Sequence, residues 1–151
     1  MADLRNLYQE VIFDHNRRPR NFHKLEAANR QAEGHNPLCG DRLRVYLRLE
    51  DGVVKDVSFD GVGCAISVAS ASLMTESLKG KTEQEAEILF QGFHHLVTQP
   101  PGTPVEQAPE LGKLQVLGGV RDYPSRVKCA TLAWHTLHAA MENSGEPVST
   151  E

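Results

Sequence analysis

Residues 42–70 read RLRVYLRLEDGVVKDVSFDGVGCAISVAS, and the fold is decided there. Leu43, Val45, Leu47 and Leu49 alternate with Arg42, Arg44, Tyr46, Arg48 and Glu50. Successive side chains of a strand point to opposite faces, so this period of two predicts a half-buried strand over 42–50. Asp51-Gly52 is a hairpin turn signal, and VVKDVSFDGVG is the return strand until Gly61 and Gly63 break it. A helix over 65–79 follows, rich in Ala and Ser and ended by Gly80. Small residues on every side of it imply close packing against neighbours.

Working towards the N-terminus, residues 3–16 predict an amphipathic helix capped by Asp3. Leu4, Leu7, Tyr8, Val11 and Ile12 share one face. Pro19 ends it, and a polar connection runs to about residue 38. Towards the C-terminus, Thr82 with Glu85 forms a capping box for a short helix ending near Gly92, with His94 and His95 solvated beyond it. QPPGTPVEQAPE, residues 99–110, predicts an extended surface loop. After Gly118-Gly119, YPSRVKCATLAWHTLHAAMENSG is a last helix with Ser125 as N-cap and Gly145 as its stop. There is no internal repeat. The expectation is one α+β domain over 1–145: a small antiparallel sheet of about three strands packed against several helices. A proline-rich insertion lies near 97–120, and 146–151 form a loose tail.

Composition excludes several classes. With 40% hydrophobic and 24% charged residues, the chain has the make-up of a folded domain. The formal charge of -4, with no basic run beyond Arg17-Arg18, argues against nucleic acid as a partner. No apolar stretch approaches the ~20 residues needed to span a membrane. The polar start MADLRNLYQE is not a secretory signal. Three cysteines cannot all pair within the chain, which fits a reducing cytoplasm, where cysteines beside carboxylates point to metal binding or catalysis.

Each thiol falls at the edge of a predicted element. Cys39 and Asp41 in NPLCGD stand at i and i+2, on one face of an extended segment, and Gly40 between them leaves room for something bulky. Cys64 opens the Ala/Ser helix, where free N–H groups and the helix dipole favour a thiolate. Cys129 heads an inward face with Leu132, Ala133, Thr136 and Leu137. Three thiolates and one carboxylate make four ligands, the number tetrahedral zinc needs. The spacing is wide and contains no CxxC pair, so the blander alternative stays open at this point: Cys64 and Cys129 as small core residues and Cys39 as a loop thiol. His35 is the substitute ligand, whereas His135 and His138 lie away from the Cys129 face. Arg126 and Lys128 are either solvated cations or charges that hold Cys129 as thiolate or steady a persulfide.

NPLCGD, GVGCAISVASASLMTE and RVKCATLAWHTL resemble the three cysteine motifs of the iron–sulfur cluster assembly scaffold family, the IscU and NifU N-terminal-domain proteins. YQEVIFDHNRRPRN resembles that family's first helix, and the likeness runs over about residues 4–142. Lys128 stands where IscU-type scaffolds have a histidine, no LPPVK docking motif precedes Cys129, and the gap between Cys64 and Cys129 is longer. These three features resemble the SufU-type branch. The resemblance implies an α+β fold and zinc on Cys39, Asp41, Cys64 and Cys129. It also implies that sulfur is taken as a persulfide on Cys39 from a SufS-type cysteine desulfurase and passed to downstream cluster-assembly proteins. Arg126 and Lys128 are then candidate contacts to the persulfide or the partner. The alternative is a non-enzymatic scaffold building a transient [2Fe–2S] cluster on the same ligands. Lys128 favours sulfur transfer, since lysine is a poor substitute for a histidine ligand at pH 7.

Overall fold

The hairpin expected from 42–62 forms one side of the sheet. In the computed structural model, which describes residues 4–100, 109–143 and 148–149, strands β2 (Asp41–Glu50) and β3 (Val53–Val62) pair antiparallel. Asp51 and Gly52 turn between them with φ of 53° and 75°. Leu43, Val45 and Leu47 are buried, while Arg42 and Arg44 are exposed, as the alternation requires. Burying such a side chain contributes about 1.5–3 kcal/mol, so a slip of one residue would be costly. Gly61 has φ of 126°, and a Cβ there would stand 2.1 Å from the Arg42 carbonyl oxygen. The strand can therefore close on its neighbour only with glycine at that place.

Among the described residues the sheet has four strands, in the order β3, β2, β1 (Arg30–Asn36) and β4 (Val148–Ser149), and the α+β class holds. The polar connection expected up to residue 38 contains β1 (Arg30–Asn36), antiparallel to β2. Its buried positions are Gly34 and Asn36, not large apolar residues, which hides the strand from a hydrophobic pattern. Gly34 is small because a Cβ there would come within 1.9 Å of Thr136 Oγ1. Of the expected tail, Val148–Ser149 form β4, parallel to β1 at Gly34 and His35.

Helix α1 spans Leu4–Arg17; its expected cap, Asp3, lies outside the described residues. Helix α2 (Ala65–Leu78) is buried from Ser67 to Thr75, so the small-residue reading was correct. Ser70 Oγ donates to the Ala130 carbonyl and accepts from Trp134 Nε1, joining α2 to α4 (Pro124–Glu142). Thr82 and Glu85 make both bonds of the capping box at the start of α3 (Glu83–Val97). That helix does not stop at Gly92. Glycine is there for packing, since a Cβ would meet Leu111 Cδ2 at 3.3 Å, and His94 and His95 fall in the last turn instead of beyond it.

Two stretches remain, the region after the prolines and the last helix, and the expected start of that helix is corrected. The proline-rich region is partly outside the described residues, but Pro109–Asp122 is a kinked run of 3-10 turns that buries Leu111, Leu114, Leu117 and Val120. The last helix starts at Pro124, with Tyr123 at the N-cap and no side-chain cap. Proline's fixed φ suits the first helical position, which moves the start ahead of Ser125. Asn143, left-handed at φ 55°, ends it.

Candidate metal and thiol centre

Three chain segments far apart in sequence deliver the thiols to one end of the sheet. Cys39 lies in the turn between β1 and β2 and is exposed. That turn is closed by the Asn36 carbonyl, which accepts from the N–H groups of Cys39 at 3.3 Å and Gly40 at 2.9 Å. Asp41 starts β2 and is fully buried. Cys64 is the N-cap of α2, and its sulfur accepts from the Ser67 N–H at 3.4 Å, as expected of a thiolate at a helix start. Cys129, in the second turn of α4, is buried.

The donor atoms of Cys39, Asp41 and Cys129 lie within 4.8 Å of one another, and among the described residues they are the one His, Cys and carboxylate group that converges so. The Cys39 and Cys129 sulfurs are 3.2 Å apart. Cys64 adjoins the three: its N–H donates to Asp41 Oδ1 at 2.8 Å, and its sulfur is hydrogen-bonded by Cys129. Soft sulfurs with a single carboxylate, four donors in all, are a set that suits zinc, with Zn–S near 2.3 Å.

The hydrogen bond from Cys129 pulls the Cys64 thiol down to about 6, helped by the Ser67 and Ile66 N–H groups and opposed by burial. Cys129 is pushed up, first by giving its proton to that bond and then by burial. Arg126 closes the mouth of the cluster, with Nη1 3.6 Å from Cys39 sulfur and 4.0 Å from Cys129 sulfur. The thiols raise its own affinity for a proton, chiefly through the bond to Cys129. Lys128 is half-buried and makes no side-chain hydrogen bond or ion pair with the thiols. His35 does not reach the cluster. It lines a groove of about 440 Å³ with Glu33, Arg42, Arg44 and Asp60, because neighbouring residues of a strand face opposite ways.

Two residues around the cluster, Asn36 and Tyr8, escaped the sequence reading as site residues, while Gly63 entered it as the break in the return strand. Asn36 is fully buried, and its Nδ2 donates to Asp41 Oδ2 at 3.2 Å and reaches Cys129 sulfur at 3.4 Å. Gly63 leaves space that a Cβ would fill, 3.0 Å from Ser67 Oγ and 3.3 Å from Asp41 Oδ1. Tyr8 places a buried hydroxyl with no partner on the same side, and burial raises its pKa to about 12. Only a register could have shown Asn36: β1 pairs it with Asp41.

Residues 7–130, which include all four cluster residues, match the family described as NifU-like N terminal domain. The chain belongs to that family. It is similar to the zinc-dependent sulfurtransferase SufU of Bacillus subtilis (strain 168), at 39% identity over 95% of this chain and 97% of that one. It is also similar to the iron–sulfur cluster assembly scaffold protein IscU of Streptococcus pyogenes serotype M1, at 36% identity over 95% and 88%. A crystal structure described as a scaffold protein for the SUF system, FiSufU from Fervidobacterium islandicum AW-1, superposes with a TM-score of 0.81. That protein is 35% identical, and the match covers 90% of this chain and 97% of that one. Among the described residues, no helix is long and apolar enough to cross a membrane.

Proposed function

We propose that the protein is a zinc-dependent sulfur carrier of iron–sulfur cluster assembly, taking persulfide sulfur from a SufS-type cysteine desulfurase in the cytoplasm. One observation carries this reading. Cys39 is an exposed thiol at the mouth of a donor set whose Asp41 and Cys129 are buried, 3.2 Å from Cys129 sulfur and 3.6 Å from the Arg126 guanidinium. The SufU relative supports it by its name.

Zinc held by Cys39, Asp41, Cys64 and Cys129 would keep the thiols deprotonated. The remaining chemistry belongs to the chain. The Cys39 thiolate attacks the outer sulfur of the desulfurase persulfide. A new S–S bond forms on Cys39, the old S–S bond breaks, and the desulfurase cysteine leaves as a thiolate. Arg126 offsets the negative charge on the sulfur that arrives. Cys39 can move because its turn rests on Gly40, whose φ is 72° and beside which a Cβ would meet nothing within 4 Å. Cys64 and Cys129 belong to helices and cannot move without them.

A second reading is a scaffold on which a [2Fe–2S] cluster forms and is passed on. It is favoured by the scaffold names of two relatives that match over most of their length, from Streptococcus pyogenes and, at 38% identity, Thermotoga maritima. A hard carboxylate in a thiolate set would suit a labile cluster. Metal analysis of the purified protein, with and without stimulation of a desulfurase, tests the two. Sulfur transfer requires about one zinc per chain and faster desulfurase turnover. Iron with a cluster absorption spectrum and no stimulation would replace it with the scaffold reading.

A further inference from the structure

Asn36 is the residue through which three of the four donors meet. Its side-chain amide donates to Asp41 on β2 and reaches Cys129 on α4. Its main-chain carbonyl closes the turn that carries Cys39. The amide orientation is fixed by chemistry, since the opposite one would place Oδ1 against the Asp41 carboxylate. Its Oδ1 is buried without a partner. A buried amide with one end unsatisfied is a poor choice for stability alone, so the two contacts made by Nδ2 are where its value lies.

The two kinds of support differ in what they hold. Nδ2 grips the donor atoms of Asp41 and Cys129 themselves, tying a strand to a helix. Of Cys39, Asn36 holds only the backbone, and the exposed sulfur is left to Cys129 and Arg126 at 3.2 and 3.6 Å. Resting on the zinc reading above, we infer that Asn36 is a positioning residue that splits the centre into a fixed part and a movable part. Asp41 and Cys129 stay in place, so metal is retained while the Cys39 thiol is away carrying sulfur. Partners that orient metal ligands in this way typically matter 10–100-fold in metal affinity.

The test is zinc affinity by chelator competition on wild type, Asn36→Asp, Asn36→Ala, Asp41→Ala and Asn36→Ala/Asp41→Ala, with Cys64→Ser as a loss control. Asn36→Asp keeps the shape but replaces the amide donor with a second carboxyl group against Asp41. It should bind zinc about 10–100-fold more weakly, and the absorption bands of its cobalt-loaded form should shift. Asn36→Ala should cost less once Asp41 is already removed, because only the contact to Cys129 is then left to lose. Melting of the metal-free proteins identifies a variant that does not fold, and Asn36→Asp carries the test if Asn36→Ala fails. Asn36→Asp affinity within twofold of wild type, or losses that simply add in the double variant, would overturn the inference. Were wild type itself no better than Cys64→Ser, the zinc reading would fall, and the inference with it.

Discussion

The thiol centre and the seam between α3 and α4 are both rich in metal-binding groups, but they are built differently. In the seam, His94, His135 and His138 surround Phe90, whose ring centroid lies 6.2, 5.5 and 5.3 Å from theirs. The phenyl ring takes the space an ion would need, and the imidazoles pack against it. His138 Nε2 lies 3.5 Å from carboxylate oxygens of Glu87 and Glu142, pairs that are charged only when the imidazole is protonated. At the thiol centre the middle is bordered by Gly63 and spanned by Asn36, and sulfur and carboxylate donors face one another. The difference teaches that ligand chemistry alone does not make a site. What makes one is convergence, which depends on which small residues leave space and which polar ones hold the donors there.

The sharpest way to break this contrast is to remove the exposed thiol. Cys39→Ser should abolish persulfide formation after incubation with desulfurase and cysteine, while much of the zinc remains. Mass-spectrometric mapping of the sulfur decides it, and a label mainly on Cys129 would overturn the assignment. Next in size is the buried side of the centre. Cys64→Ser or Cys129→Ser should weaken zinc retention by ~100-fold or more, and stripping zinc should lower Tm by roughly 5–10 °C, because the ligands join a turn, two helices and a strand. Wild-type zinc affinity in either variant would refute the ligand set.

A smaller effect separates charge from ligation. Arg126→Ala should slow sulfur transfer about tenfold with zinc content unchanged, since an oriented cation of this kind is worth ~1.4 kcal/mol. Zinc loss in step with activity would make its role structural. The smallest effect is expected in the seam. His94→Ala and His135→Gln should leave zinc affinity within about twofold of wild type. His135 is held below its usual pKa by burial, then by His94 and His138. The unfolded chain therefore binds a proton that the folded chain resists. Stability from this residue is complete above the ordinary histidine pKa of ~6.5 and falls as pH drops below it. His15, buried beside Ser72, acts in the same direction. His135→Gln should shrink the Tm lost on acidification by ~1–2 °C, and an unchanged slope would refute its share.

Much of this protein was legible in the residues alone. Alternation over 42–50 and Asp51-Gly52 set the hairpin, because the pleat forces a period of two and only a few residues accept a positive φ. The capping box at Thr82 and Glu85 and the buried small-residue helix were equally local. The four donors, too, are in the sequence, as types at element edges. What tertiary structure decided is where neighbours replace side chains. Strand β1 hides behind Gly34 because Thr136 fills its place, Gly92 stays in its helix because Leu111 packs on it, and Leu111, Leu114, Leu117 and Val120 are buried by partners distant in sequence. Convergence of Cys39, Asp41 and Cys129, the bridge through Asn36 and the approach of Arg126 are of the same kind. Local preference fixes the path of each segment, but distances between segments are set by packing, and a metal-binding constellation is made of those distances.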